Sequence, residues 1–558
     1  MQRSHAMVPT MRFPTLRRLE VVAILGAAAC AGPTALATPA SVTIVDGYDW
    51  SVPPGVAPRP DSGFYSEHAD PALGLDVHVL DLTWRQLEPE PGVLRKDRVG
   101  HAQGLDFGSW NDQRRDGGRY WLRLWMSGVD WAPAWVVEQC GVAPITGADS
   151  LGTLHLPLWN PCVWDKARAL FRRVLVDQGV LADPDFVLAY VPGGFTWGEL
   201  DFDPIDRAAR FDGLRFETFR VWFAQMVADL VAIGGDRAGR LIYTGEDYPF
   251  AGFGAGDDLL ARDAVTAGLG IRTGITEVSN NHLSEVPAYG ARIGPDGHIV
   301  VDEDWVLRRP GRISAAENEC YNHCGYSTHD DDELAYAIRL SNWKALQLRV
   351  SWLYVVPTDS YLAEHADHWR WVRAERGRTI DAAVDGWVVL RAAEDRYWQY
   401  EDAVTWDGKP WVQNLERFVV QRDVAPDGVS ALGSEVRDRV LDPHNGMAYE
   451  GRRTDAASGG TSLYFAVEPR WLRGAHDVEV QVTFLDGACG SWHLAYATAL
   501  GRATAGPIRC TDTRAIRTAR IRLPDAHFGG ALPDHTDLAV VRDTPADIEV
   551  RFLRVIRR

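Results

Sequence analysis

At 558 residues the chain is too long for one ordinary domain, and its 46% hydrophobic content is enough for a sizeable core. A net charge of −18 argues against nucleic acid or an anionic membrane surface as a partner, and disfavours a strongly acidic polymer. Tryptophan is abundant, at 22 residues, and its rings suit core packing and sugar C–H faces alike.

Residues 1–37 read as an export signal. MRFPTLRRLE carries positive charge, VVAILGAAACAG is a short apolar core, and Ala35-Leu36-Ala37 is a small-x-small cleavage site. The core is too short for a permanent span, and no other stretch is long and apolar enough to cross a membrane. Cys30 resembles a lipoprotein cysteine only weakly, since Ala27 stands three places before it, so a secreted or periplasmic chain is expected. Export leaves six of the seven cysteines in an oxidising compartment. They fall in local pairs: Cys140 with Cys162, Cys320 with Cys324, and Cys489 with Cys510. For the middle pair a zinc site with His323 and His329 is the rival, but the spacing matches no common ligand set, and no metal is expected.

Strand-like runs follow at 43–49 (TIVDGYD), 76–82 (DVHVLDL) and 119–126 (RYWLRLWM). Residues 165–178 carry apolar positions at helical spacing. The run 186–191 (FVLAYV) is continuously apolar, as in a strand buried on both faces, and ends in Pro-Gly-Gly. Then come a helix at 216–233, a strand at 241–244, a helix at 257–267 and a strand at 270–278. A small hairpin near 299–304 and a strand at 312–316 lead to a helix at 332–347. Acidic residues precede that helix, as its dipole favours. A strand at 348–356 and a helix at 360–376 complete the set. Eight strands alternating with helices predict a (β/α)8 TIM barrel over residues 38–384. The alternative, a doubly wound open sheet, lacks a Gly-rich phosphate loop after its first strand. Residues 385–424 read as a strand extension and linker, with the linker near 422–433. Residues 425–558 alternate with period two in short strands, the pattern of an antiparallel β-sandwich.

In a barrel, chemistry is done just past the C-terminal ends of the strands. Glu199 stands there after the fourth strand, and Glu317 and Glu319 after the seventh. Glycosidic bond hydrolysis needs two carboxyl groups flanking the scissile bond, which makes Glu199 and Glu317 the catalytic candidates, with Glu319 competing. Glu246 and Glu277 end the fifth and sixth strands and are candidates for substrate binding. Asn281, beside Asn280 and His282, can hydrogen-bond hydroxyls. Trp84, Trp125, Trp197 and Trp352 are candidate stacking surfaces, Trp352 for the innermost ring. Arg123, inside an apolar strand, is costly to bury unpaired and is expected to meet a carboxylate of the mouth.

LTWRQLEPEPGVL resembles the Trp-x-x-Leu-Glu-Pro-x-x-Gly segment after the second strand of clan A glycoside hydrolases, which include the family 42 β-galactosidases. GGFTWGELDF is similar to the Gly-x-x-Gly-x-Trp-Gly-Glu-Trp segment of a related group of secreted barrel proteins. The resemblance implies Glu199 as acid/base and Glu317 as nucleophile in a retaining reaction that needs no cofactor. The chain departs from the pattern at Gly198, where the clan has Asn, and at Leu200, where the related group often has Trp; both bear on which sugar is taken. SLYFAVEPRWLRGAHDVEVQVTFLDGACGSWHLAY and RTARIRLPDAHFGG resemble a β-sandwich module appended to secreted glycan-active enzymes. Ile516 stands where that module usually has Trp, which favours buttressing over glycan binding. The expectation is a glycoside hydrolase of a poly- or oligosaccharide. A non-catalytic glycan-binding protein using the same mouth is the alternative, told apart by whether two carboxyls converge. A surface-layer or adhesion protein would need repeats or an anchor, and neither is visible.

Overall fold

The computed structural model describes residues 41–67, 70–115, 117–145, 153–194, 199–200, 205, 208, 212–244, 260–273, 287–294, 298–318, 331–355, 361–393, 405–406, 409–410, 414–436 and 448–558. The export signal with Cys30, Trp197, Glu246, Glu277, Asn281, Glu319 and the Cys320–Cys324 pair with its neighbouring histidines lie outside these residues.

Among the described residues, eight parallel strands form one sheet: Gly63–Tyr65, Val77–Thr83, Arg119–Trp125, Phe186–Val191, Leu241–Thr244, Gly270–Thr273, Ser314–Asn318 and Trp352–Val355. Consecutive strands pair from the second to the eighth, and the eighth pairs with the first. Between the first and second, Ser66 N donates to Val77 O at 3.3 Å, so the ring is nearly closed. Period two turns Val77, Trp121, Tyr190, Ile242, Ala315 and Tyr354 into the interior, while Leu82, Leu122, Leu124 and Val191 face the surrounding helices. The helix Pro161–Arg172 shows how such a crossover is specified. Asn160 Oδ1 accepts from the backbone N–H groups of Cys162 and Val163, and Pro161 fills the first turn, where its missing N–H is no loss. Val163, Trp164, Ala167, Leu170 and Phe171 then bury one face.

Two expectations need correction. Residues 41–46 do not open the barrel; they pair antiparallel with Ile516–Phe528, Ser41 opposite Arg522 and Asp46 opposite Arg517. The barrel begins at Gly63–Tyr65, three residues that carry no visible period. The linker expected near 422–433 is strand at its two ends, up to Arg422 and from Ala431, and the expected strand extension is present at Asp385–Val389. Asp385–Val389 pairs with Glu549–Arg557, Val419–Arg422 with Ser462–Val467, and Ala431–Val436 with Ala448–Arg453. All belong to an antiparallel sheet of fourteen strands among the described residues. Val388, Val419, Leu463, Val482, Leu494 and Leu553, drawn from both ends of the strand order, share one core, which is consistent with the expected sandwich.

Barrel and sheet meet through aromatic side chains. Trp343 and Trp371 of the barrel helices pack with Trp50, Trp387 and Phe552. Cys140–Cys162 and Cys489–Cys510 form as expected, with Cα–Cα separations of 5.6 and 5.7 Å. No helix among the described residues is long and apolar enough to cross a membrane.

Candidate active site

The Pro-Gly-Gly turn after the fourth strand decides where Glu199 sits. Gly193 adopts φ +68°, and a Cβ there would lie 2.6 Å from Leu124 O. A Cβ on Gly194 would lie 2.6 Å from Glu199 O, so the loop folds back on itself only because residue 194 has no side chain. Two contacts fix the turn: Met126 N donates to Gly193 O at 3.0 Å and Ser127 Oγ to Gly194 O at 2.9 Å. Leu200 N donates to Thr244 O, at the end of the fifth strand, at 2.8 Å. Glu199 is thereby held over the C-terminal ends of the strands.

Glu317 reaches the same place from the seventh strand, where it is 8% exposed and stands opposite Tyr354 in the register. Arg272, inward-facing on the sixth strand and 6% exposed, joins the two. Its Nη1 lies 2.7 Å from Glu199 Oε1, and its Nη2 is ion-paired with Glu317 Oε2. Two carboxylates from distant parts of the chain therefore converge on one guanidinium. One guanidinium thus faces two carboxyl groups.

Beneath it lies an aromatic floor. The Arg272 guanidinium sits 5.4 Å from the Tyr190 ring, and the Tyr190 and Tyr65 hydroxyls are 3.1 Å apart. Tyr65 packs edge-on against Trp121 and Tyr354, with centroids 5.4 and 5.5 Å away. Burial pushes the Tyr190 phenol above its ordinary range, with Arg272 acting against the shift and Glu199 adding to it. These hydroxyls stay protonated and can donate.

Arg123 belongs to a second ion cluster on the other side of the floor. It meets Asp81 of the second strand at 2.6 and 2.8 Å and Glu67, just past the first strand, at 2.9 Å. Burial opposes its charge, but Asp81 and then Glu67 outweigh that and hold its pKa above the ordinary value. The expected pairing with a carboxylate of the mouth is met by Asp81 and Glu67, and Glu199 and Glu317 are held by Arg272 instead.

Three tryptophans expected to stack on sugar are interior. Trp84 is fully buried and donates from Nε1 to Glu88 at 3.1 Å. Its motif is a structural device: Thr83 and Gln86 form a capping box, while Glu88 accepts from Gly92 N at 2.6 Å and pairs with Arg173. Trp125 is fully buried and donates to Asp81 at 2.8 Å, bracing the Arg123 cluster. Trp352 opens the eighth strand, at the end away from the mouth, and is 2% exposed with Arg119 5.0 Å from its ring. Tyr354, two residues on, takes the position nearer the mouth. The chief omission from the sequence reading is Arg272. Its signal was the one that marked Arg123, a charged side chain inside a short apolar strand.

Among the described residues, no three His, Cys, Asp or Glu side chains converge so as to hold a metal ion. No family model and no curated protein matches the chain. Among solved structures it is similar to the isomalto-dextranase of Arthrobacter globiformis T6 complexed with panose, at 11% identity over 87% of this chain and 91% of that one, with a TM-score of 0.31. A carbohydrate-binding module of Cellvibrio mixtus lichenase 5A, complexed with cellotriose, matches at 11% identity over 25% of this chain and 96% of that one, with a TM-score of 0.15. A Paenibacillus sp. cycloisomaltooligosaccharide glucanotransferase complexed with cycloisomaltoheptaose matches at 8% identity over 88% of this chain and 56% of that one, with a TM-score of 0.22. At these scores the likenesses carry no chemistry over to the mouth of this barrel.

Proposed function

We propose that the protein is a glycoside hydrolase acting on a poly- or oligosaccharide at the barrel mouth, with Glu199 as acid/base and Glu317 as nucleophile. The observation that carries this reading is the meeting of those two carboxylates at Arg272. In the first step Glu317 attacks the anomeric carbon as Glu199 passes its proton to the departing oxygen. In the second, Glu199 takes a proton from water, and the hydroxide displaces Glu317 from the sugar with overall retention. Arg272 aims both carboxyl groups into one space, and Glu199 can keep one oxygen on the guanidinium while the other carries the proton. Asp81, Arg123 and Glu67 offer acceptors and donors for hydroxyls on the other side of the floor. Retention requires the two carboxyl groups to stand about 5–5.5 Å apart in the working complex. No step calls on a cofactor. The disulfides fit a chain exported to an oxidising compartment.

A non-catalytic glycan receptor is favoured by one observation only: Arg272 occupies the space between the two carboxylates. The test is to screen the purified protein against a polysaccharide panel, size the products and follow their anomeric configuration. On the substrate so found, Glu199→Gln and Glu317→Gln should each lose about 10²–10⁴-fold in turnover while still folding. Full turnover by either variant overturns its role. Saturable sugar binding with no turnover by the wild type establishes the receptor instead.

A further inference from the structure

A cavity of about 800 Å³ lies on the far side of the barrel from Glu199 and Glu317. There residues 298–301, and Arg349 just before the eighth strand, meet the antiparallel sheet. Its volume is that of a small-ligand site, about 300–1,000 Å³. The floor is polar, buried and held in place. Asn414, Glu416 and Gln421 are 2%, 5% and 4% exposed. Asn414 Nδ2 donates to Gln421 Oε1 at 3.1 Å, and Gln421 Nε2 to Asp423 Oδ1 at 2.8 Å. Glu416 accepts from Gln421 N at 3.2 Å, and its other oxygen lies 2.8 Å from His298 Nδ1.

Part of the wall is strained. Arg349 and Phe418 are non-glycine residues with φ of +62° and +60°, and the Arg349 guanidinium sits 4.5 Å from the Phe418 ring. Left-handed backbone costs about 1–2 kcal/mol at such residues, and strain of this kind gathers at binding and switch sites.

The lining decides the class of ligand. Among the described residues, four arginines line the space, Arg349, Arg422, Arg452 and Arg470. Five carboxylates oppose them among the described residues, Glu303 and Glu416 nearly buried and Asp423, Glu468 and Asp534 more exposed. Among the described residues, with His298 beside Glu416, the charges nearly balance, which does little to favour a phosphate or a metal cation. Arg349 is held by Glu303 and the carbonyls of Leu346 and Gln347, and Glu416 by His298 and Gln421 N. The donors and acceptors that match vicinal hydroxyl groups are therefore those of the rim, where Arg422 meets Asp534 through Nη1 and Arg470 meets Asp304 through Nη2. Ile299, Ile380 and Val420 add apolar surface for the C–H faces of a ring.

We propose that this cavity is a second, non-catalytic binding site for a short neutral oligosaccharide. The proposal stands apart from the reading of the barrel mouth. The test uses the full-length Glu199→Gln protein, so that bound sugar is not consumed, with cellotriose, isomaltotriose and inorganic phosphate as separate probes. Calorimetry gives the affinity, and amide hydrogen exchange shows where each probe protects. At least one trisaccharide should slow exchange across residues 414–422. Adding Arg422→Ala and Glu468→Ala at the rim should weaken that binding by about tenfold or more. Three results overturn the proposal: no trisaccharide protects that segment, the rim substitutions leave the affinity unmoved with melting unchanged, or phosphate binds there in place of sugar. Hydrolysis by the wild type is assayed separately; its absence would remove the roles of Glu199 and Glu317 and leave this site standing.

Discussion

A guanidinium shared by two carboxylates is a buried ion triad, and its parts are not interchangeable. Replacing Arg272 with Met leaves Glu317 nearly buried beside Glu199 without the one cation seen to pair with both among the described residues. Breaking a buried pair from one side costs about 3–5 kcal/mol. Arg272→Met should therefore lower unfolding free energy by about that amount in denaturant titration, and Arg272→Lys should recover part of it. Turnover should fall in both, because an ammonium cannot hold two carboxylates with the fixed fork of a guanidinium. Stability unchanged in Arg272→Met would mean that the triad does not hold in solution. The two glutamates stand out in the sequence because Glu199 lies past one strand and Glu317 near the C-terminal end of another, and strand ends make the mouth. Arg272 does not, since GIRTG shows which way its side chain points only once the strand's phase is known. Trp84, Trp125 and Trp352 failed for the converse reason: an indole suits a core and a sugar face equally, and residue type alone does not separate them.

Helices and strands were legible wherever the pattern was long. The apolar run of the fourth strand and the helix Phe216–Gly234 fall where their periods place them. Short elements with distant partners were not. Nothing within TIVDGYD records that its mate is Ile516–Phe528, and Gly63–Tyr65 is too brief to show a period. Cysteine spacing fared better, because a disulfide between sequence neighbours closes a small loop. Cys489–Cys510 spans 21 residues and ties the hairpin of Ser491–Thr498 and Gly501–Arg509. Replacing both cysteines with Ala should cost about 3 kcal/mol by loop-closure entropy, read as a lower midpoint in urea. Turnover should be unchanged, since the hairpin belongs to the antiparallel sheet and contributes nothing to the mouth.

At the scale of the whole molecule, the seam between barrel and sheet contains charge as well as aromatic surface. Glu375 and Asp385 face Arg417 and Arg554, and all four side chains are fully buried. Arg417 Nη1 donates to Glu375 at 3.2 Å, and Arg554 Nε and Trp371 Nε1 donate to Asp385 at 2.5 and 3.1 Å. Burial, reinforced by the charge of Asp385, pushes the Glu375 carboxyl up to about 8, while its arginines and hydrogen bonds overcome burial to keep Asp385 below its ordinary value. A carboxyl raised in the folded state binds more protons folded than unfolded. Glu375 should therefore make stability decline as pH rises from its unfolded value of 4.5 toward about 8. The opposite slope from Asp385 falls below 3.8, outside that window. Unfolding measured from pH 5 to 9 should show the decline in the wild type and a flatter profile in Glu375→Gln; an equal slope in both would assign it elsewhere.

The strand at 41–46 also bears on how the polypeptide is made. Asp46 and its partner Arg517 are 471 positions apart. At about 5–20 residues per second of translation, roughly 25–90 s pass before the mate leaves the ribosome. Throughout that interval the early segment is an unsatisfied β-edge, available to any neighbouring nascent chain. Fragments ending before residue 516 should accordingly be sticky in a way the finished protein is not, however well their barrel has closed.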